Sequence, residues 1–176
     1  MPFPHGSFDG ADSINVSMNI ADKGRFYREI HRVLKPGAWL VLSEIVKGEG
    51  GDLDYPTPWT GSAGPSFVST PEQTRHGLLE ARFDVIRLQS TVEKALAFGA
   101  RSRTMVERGE KPPHRAVMLI HGEIAAHAIA NTSRGLRDAR IVRYRCRAPG
   151  DPVRCSRSGP HLLPFMMIVG VETEPP

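Results

Sequence analysis

Apolar residues recur at Phe26, Ile30, Val33 and Leu34, a spacing of i, i+4, i+7 and i+8 that marks one stripe of an amphipathic helix over about 23–35. Lys35 precedes Pro36, which disfavours the helical conformation, so the helix is expected to stop there. Gly37 supplies the backbone freedom that a tight reversal needs. Trp39-Leu40-Val41-Leu42 then runs apolar without alternation, the pattern of a strand over 38–46 covered on both faces. Upstream, Pro2 to Asp9 reads as a turn feeding a strand over 8–17. A helix, a Pro-Gly turn and a buried strand make half of a βαβ unit, so the expected class is α/β.

Downstream, Gly48 to Pro65 is rich in Gly, Pro, Asp and Ser and reads as loop. Thr70-Pro71-Glu72-Gln73 is a helix start with a capping threonine, proline at the first turn and glutamine closing a capping box, predicting a helix over 71–81. A strand over 83–88 and helices over 93–108 and 114–131 follow, the helices separated by Lys111-Pro112-Pro113. Two residues run against their positions. Asp12 falls mid-strand where a parallel sheet wants an apolar residue, so it must find a partner, protonate or weaken the strand. Arg82 falls just after a helix, where glycine commonly takes the left-handed conformation, at a cost of about 1 kcal/mol.

The order "PFP-x-GSFD", strand, "MNIADK", helix, "LKPG", strand resembles the second half of class I S-adenosylmethionine-dependent methyltransferases. Asp54-Tyr55-Pro56-Thr57-Pro58-Trp59, Ser66-Phe67 and Thr70-Pro71-Glu72 are similar to the branch containing glycine, sarcosine and dimethylglycine N-methyltransferases. The resemblance, over about 2–142, implies a partial Rossmann-like sheet with helices on both faces. It implies parallel strands at 8–17, 38–46 and 83–88, and a final antiparallel strand near 140–147 between the second and third. It also implies S-adenosyl-L-methionine as cofactor and a small-molecule acceptor, with an amine suggested by the branch. That family opens with a strand, a glycine-rich turn and a helix. The one dense glycine cluster here, Gly48, Gly50 and Gly51, follows a strand and opens no helix. Residues 1–147 are therefore expected to be the C-terminal part of a methyltransferase domain, incomplete and inactive alone. Residues 148–176 are expected to be a poorly ordered tail foreign to the family, such as a shifted reading frame would produce. By its alternating arginines, 140–147 reads at best as an edge strand.

Composition narrows the alternatives. The chain is ordinary in apolar content and carries a formal net charge of +4, with arginines crowded between Arg140 and Arg157. Tyr144 is the single aromatic among them, so the cluster lacks the stacking residues of a nucleic-acid site. No apolar run approaches the roughly 20 residues of a membrane span, and the opening residues lack a signal pattern. Cys146 and Cys155 are too few for a disulfide framework, so a reduced, cytoplasmic state is expected.

Methyl transfer from a sulfonium needs positioning and exclusion of water more than acid–base chemistry. The candidates are therefore polar and aromatic groups near the carboxyl ends of the strands. By resemblance, Ser13 and Asn15 touch the cofactor; Asn15 could equally satisfy backbone groups at a strand end. Met18, Asn19, Glu44, Tyr55 and Trp59 are the candidate substrate residues. Met18 could be core, Glu44 a solvated strand-end carboxylate, and Trp59 a loop anchor rather than a cation–π wall for a methylated amine. His114 and His121, seven apart with Glu123 nearby, lack zinc-site spacing, and no metal is expected. An Asn/Asp-Pro-Pro-Tyr/Phe motif of nucleic-acid methyltransferases is not present at Asn15-Val16-Ser17-Met18. The second reading is a non-catalytic remnant or interaction module without cofactor binding; in either reading the missing neighbour of the first strand is expected to leave an apolar edge prone to self-association.

Overall fold

A computed structural model describes residues 1–83, 87–111, 122–148 and 165–169, with 143–148 and 165–169 described in backbone. In chain order the elements are β1 (Phe8–Ile14), α1 (Lys23–Val33), β2 (Leu34–Lys47), α2 (Pro71–Glu80), β3 (Arg87–Ser90), α3 (Val92–Glu107), α4 (Ala125–Arg137), β4 (Ile141–Ala148) and β5 (Phe165–Val169). Single 3₁₀ turns lie at Ser17–Asn19 and Gly122–Ile124. The five strands form one sheet in the order β3-β4-β2-β1-β5.

Local chemistry explains the helix ends. Asp22 caps α1, its Oδ1 accepting from the Arg25 amide at 2.8 Å. Tyr27, Ile30 and Val33 then form the buried stripe. The helix ends at Val33, two residues earlier than the periodicity predicts, and Gly37 takes φ +77° in the turn beyond it. The turn is absorbed as an irregularity in the ladder, which jumps from Phe8↔Leu34 to Gly10↔Trp39. The capping box of α2 is complete: the Gln73 amide donates to Thr70 Oγ1 at 3.2 Å and the Thr70 amide to Gln73 Oε1 at 2.9 Å. At its other end Arg82 stands at φ +69°, with its amide on the Leu79 carbonyl and the Phe83 amide on the Leu78 carbonyl. That pair of bonds is a Schellman ending built without glycine.

Two cores flank the sheet. Ala11, Leu40 and Leu42 pack with Tyr27, Ile30 and Val33 of α1 and Leu78 of α2. Ile45 and Ile141 gather Met18 and Trp59, with Leu136 of α4 against them. Helices thus cover both faces, as expected. β2 itself alternates, with Leu40 and Leu42 buried and Trp39, Val41 and Ser43 half-buried, so its coverage is less even than the apolar run suggests.

β1 and β2 are parallel, and β4 runs antiparallel between β2 and β3, the arrangement implied by the resemblance. The reading of the arginine-rich segment as an edge strand is corrected: β4 is interior, laddered to β2 from Lys47↔Ile141 to Leu40↔Ala148 and to β3 from Ser90↔Tyr144 to Arg87↔Arg147. Ile141, 2 % exposed, anchors its start, and the backbone ladder carries the pairing onward irrespective of the alternating arginines. A second correction concerns the free edge of β1. Phe165–Val169 pairs parallel with β1 from Gly10↔Phe165 to Ile14↔Val169, so the edge expected to be open is occupied. The other residues of 149–176 lie outside the described residues, as do 84–86 of the strand predicted at 83–88. So does the part of the 114–131 helix that carries His114 and His121; its described remainder, α4, extends to Arg137. Asp12 is half-buried with its Oδ1 buried and without a hydrogen-bond partner, so of the three expectations a partner is not met at that oxygen.

Candidate functional site

The carboxyl ends of β1 and β2 lie side by side, and the chain reverses there in quick succession. β1 ends at Ile14; Asn15 takes φ +55°, its amide donating to the Ser43 carbonyl at 2.9 Å. Asparagine tolerates this conformation better than most residues. The 3₁₀ turn Ser17–Asn19 follows directly, and Val16 at its start offers no side-chain cap.

Glu44, 2 % exposed on β2, supplies what that turn lacks. Its Oε1 accepts from Ser13 Oγ at 3.2 Å and the Val16 amide at 3.4 Å, and its Oε2 from the Ser17 amide at 3.1 Å. Burial pushes the Glu44 carboxyl up to about 7, against the downward pull of Val16, Ser13 and Ser17. On the other side of the turn, Lys23 Nζ donates to the carbonyls of Ser17 at 2.7 Å, Ile20 at 2.8 Å, and Phe67. Burial pulls this ammonium down to about 8, with the nearby Glu44 charge working in the opposite sense.

Trp59 is 7 % exposed, packed with Met18 and Ile45, and its Nε1 donates to Ser66 Oγ at 3.1 Å. The Phe67 amide donates to the Met18 carbonyl at 2.8 Å. Met18 and Trp59 are therefore core, and Trp59 anchors the loop after β2. Tyr55 is half-buried, and the loop beyond it is tied to α4 by Asn131 Nδ2 on the Pro56 carbonyl at 3.0 Å.

Ser13, Glu44 and the turn that carries Met18 and Asn19 meet beyond the carboxyl ends of β1 and β2, with Asn15 before the turn, Trp59 packed on Met18 and Tyr55 in the loop after β2. Ser13 is fully buried with its hydroxyl committed to Glu44. The alternative of a solvated strand-end Glu44 is corrected: the carboxylate is buried with both oxygens engaged. Asn15 is exposed and Asn19 half-buried, which leaves them as the accessible polar groups of the reversal. Lys23 and Ser17 were missed. One signal could have exposed Lys23: a cation at the first position of a helix opposes the dipole and calls for separate acceptors. Among the described residues no group of three His, Cys, Asp or Glu could hold a metal, and no helix is long and apolar enough to cross a membrane.

Residues 1–42, covering β1, α1 and the first part of β2, match the family model of the methyltransferase domain. The fold is that of S-adenosylmethionine-dependent methyltransferases. It is similar to Haemonchus contortus phosphoethanolamine N-methyltransferase 2, solved with phosphomonomethylethanolamine and S-adenosylhomocysteine, with TM-score 0.63, 15% identity, 84% of this chain and 34% of that one. A putative sarcosine dimethylglycine methyltransferase from Galdieria sulphuraria gives TM-score 0.57, 17% identity, 85% of this chain and 56% of that one. In sequence, 49 residues are 47% identical to 24-methylenesterol C-methyltransferase 2 of Arabidopsis thaliana, 28% of this chain and 14% of that protein. The resemblance to methyltransferases is thus borne out. The chain spans between about a seventh and just over half the length of these proteins.

Proposed function

We propose that this chain contributes the acceptor-side half of an S-adenosylmethionine-dependent methyltransferase that acts on a small molecule, with an amine as acceptor. The observation that carries the reading is the family match over β1, α1 and the first part of β2, a stretch that includes the reversal at Asn15–Asn19 beyond the carboxyl end of β1. An amine acceptor fits the names of two structural neighbours, while the sterol relative and the geranyl diphosphate C-methyltransferase neighbour from Streptomyces coelicolor are named for methylation at carbon.

The exposed Asn15 side chain and the half-buried Asn19 fit a ligand's polar end at this edge, whereas Ser13 supports the site from beneath. When bound, the cofactor supplies a sulfonium methyl: the S–CH₃ bond breaks toward sulfur as the acceptor lone pair forms the new bond, and an amine acceptor then releases a proton. The chain's own contribution is to orient and to keep water out. Trp59 and Met18 close the apolar floor beside the reversal.

The test is a titration of the purified chain with S-adenosylhomocysteine, followed through backbone amide resonances. Weak, millimolar binding confined to Ser13–Asn19 is expected, because polar recognition from a glycine-rich turn would be lacking. Each missing charge-assisted contact costs about 1.5–3 kcal/mol. Micromolar binding would overturn the half-site account. No perturbation anywhere would overturn the cofactor reading and favour a non-catalytic module.

A further inference from the structure

We infer that Glu44 is a positioning residue, a cap supplied from the neighbouring strand that sets the conformation of Asn15–Asn19 through the Val16 and Ser17 amides and the Ser13 hydroxyl. Only its consequence for a ligand rests on the reading above; the geometry stands alone. The first amides of a helical turn have no partners within the turn. Here the preceding residue is valine, which cannot cap, and the donors turn instead to a carboxylate one strand away.

The opposite end is closed in the complementary sense. The Asn19 amide donates to the Val16 carbonyl at 3.0 Å and the Ile20 amide to the Ser17 carbonyl at 3.1 Å. Lys23 then takes the Ser17 and Ile20 carbonyls and reaches across to Phe67. A single turn of three residues is thus held between an acidic group at its donors and a basic group at its acceptors, the order its dipole favours. Three residues cannot hold such a turn by themselves. The clamp explains how so short a turn keeps a left-handed Asn15 in front of it.

Among the residues whose side chains are described, the ionisable group beside the carboxylate is Lys23, from the start of α1. A protonated carboxyl turns one acceptor into a donor, so one of the amides or the hydroxyl must lose its partner. The burial that raises Glu44 to about 7 places this exchange near neutrality.

The experiment follows the amide resonances of the whole chain from about pH 5 to about pH 9, with and without S-adenosylhomocysteine. In the unaltered chain the Val16 and Ser17 amides are expected to shift together with one midpoint near neutral. Glu44→Gln is expected to abolish that shared titration while the dispersion of core resonances persists, and to reduce the ligand's perturbation of Asn15–Asn19. Val16 and Ser17 amides that do not titrate would overturn the inference, and this arm needs no variant. So would a Glu44→Gln chain whose Val16 and Ser17 shifts match those of the unaltered chain, or one perturbed equally by ligand. If Glu44→Gln fails to fold, Ser13→Ala serves: it removes one donor to Oε1 and should raise the midpoint. Perturbation by ligand nowhere in the unaltered chain defeats the cofactor reading alone, since the titration still decides the cap.

Discussion

Glu44 is buried at a cost to its charged form. It accepts hydrogen bonds that would hold an exposed carboxylate ionised, yet burial outweighs them and lifts it from 4.5 to about 7. The sign of its effect on stability follows. Between about 4.5 and 7 the folded chain keeps a proton that the unfolded chain has released, so stability falls as pH rises through that window and levels off above it. The full drop is on the order of 3 kcal/mol. Lys23 acts the other way: depressed to about 8, it adds stability as pH rises above that value. We therefore expect Glu44→Gln to gain on the unaltered chain between pH 5 and pH 8 by roughly 3 kcal/mol, read from urea midpoints at the two pH values. A constant difference would mean that Glu44 is ionised throughout. Arg82 tests strain of another kind. At φ +69° it holds a position where glycine pays no steric penalty, so Arg82→Gly should raise stability by about 1 kcal/mol. A fall in the thermal midpoint would show that the arginine side chain makes a contact worth more than the strain.

At the scale of elements, what was legible was what is local. The Thr70–Gln73 box and the Arg82 ending are each decided within a few residues, and each is where the sequence places it. Thr70→Ala removes one partner of a reciprocal pair, so we expect a loss of about 1 kcal/mol, with amide exchange quickening first at Gln73. An unchanged midpoint would show that Pro71 and the packing of Leu78 suffice to start α2. What was illegible depends on partners far along the chain. Glu44 at a strand end looks solvated until Ser13 and the 3₁₀ turn close over it, some 30 residues away in sequence. The arginine pattern of β4 argues for an edge, but pairing on both sides is decided by where β2 and β3 leave room. Phe165–Val169 has no local signal of a sheet partner at all, because the partner is β1 at the opposite end of the chain.

The whole molecule is shaped by how its sheet ends. One edge is β3, whose described residues Arg87–Ser90 are mostly exposed and polar, with Arg87 and Gln89 on it, so this stretch offers little to another chain. The other would be β1 were it not for β5, which pairs with it from Gly10 to Ile14. Self-association through β1 therefore requires that β5 be removed, and a chain ending at Ala148 does this while keeping β4 whole. Its β1 would present unpaired amides and carbonyls beside Ala11, which lies in the larger core. Asp12 opposes pairing at that edge. In the full chain its Oδ1 is buried without a partner, in register between Val41 of β2 and Met167 of β5. With β5 gone it stands in the middle of an exposed strand, where an acidic side chain discourages a second copy from docking. Light scattering at matched concentrations should give the shortened chain a larger, concentration-dependent mass than the full one. Adding Asp12→Val should increase that mass further, and should do nothing of the kind in the full chain, where the edge is taken. Equal masses for full and shortened chains would mean that β5 does not protect β1, and a shortened chain insensitive to Asp12→Val would move the association to another surface.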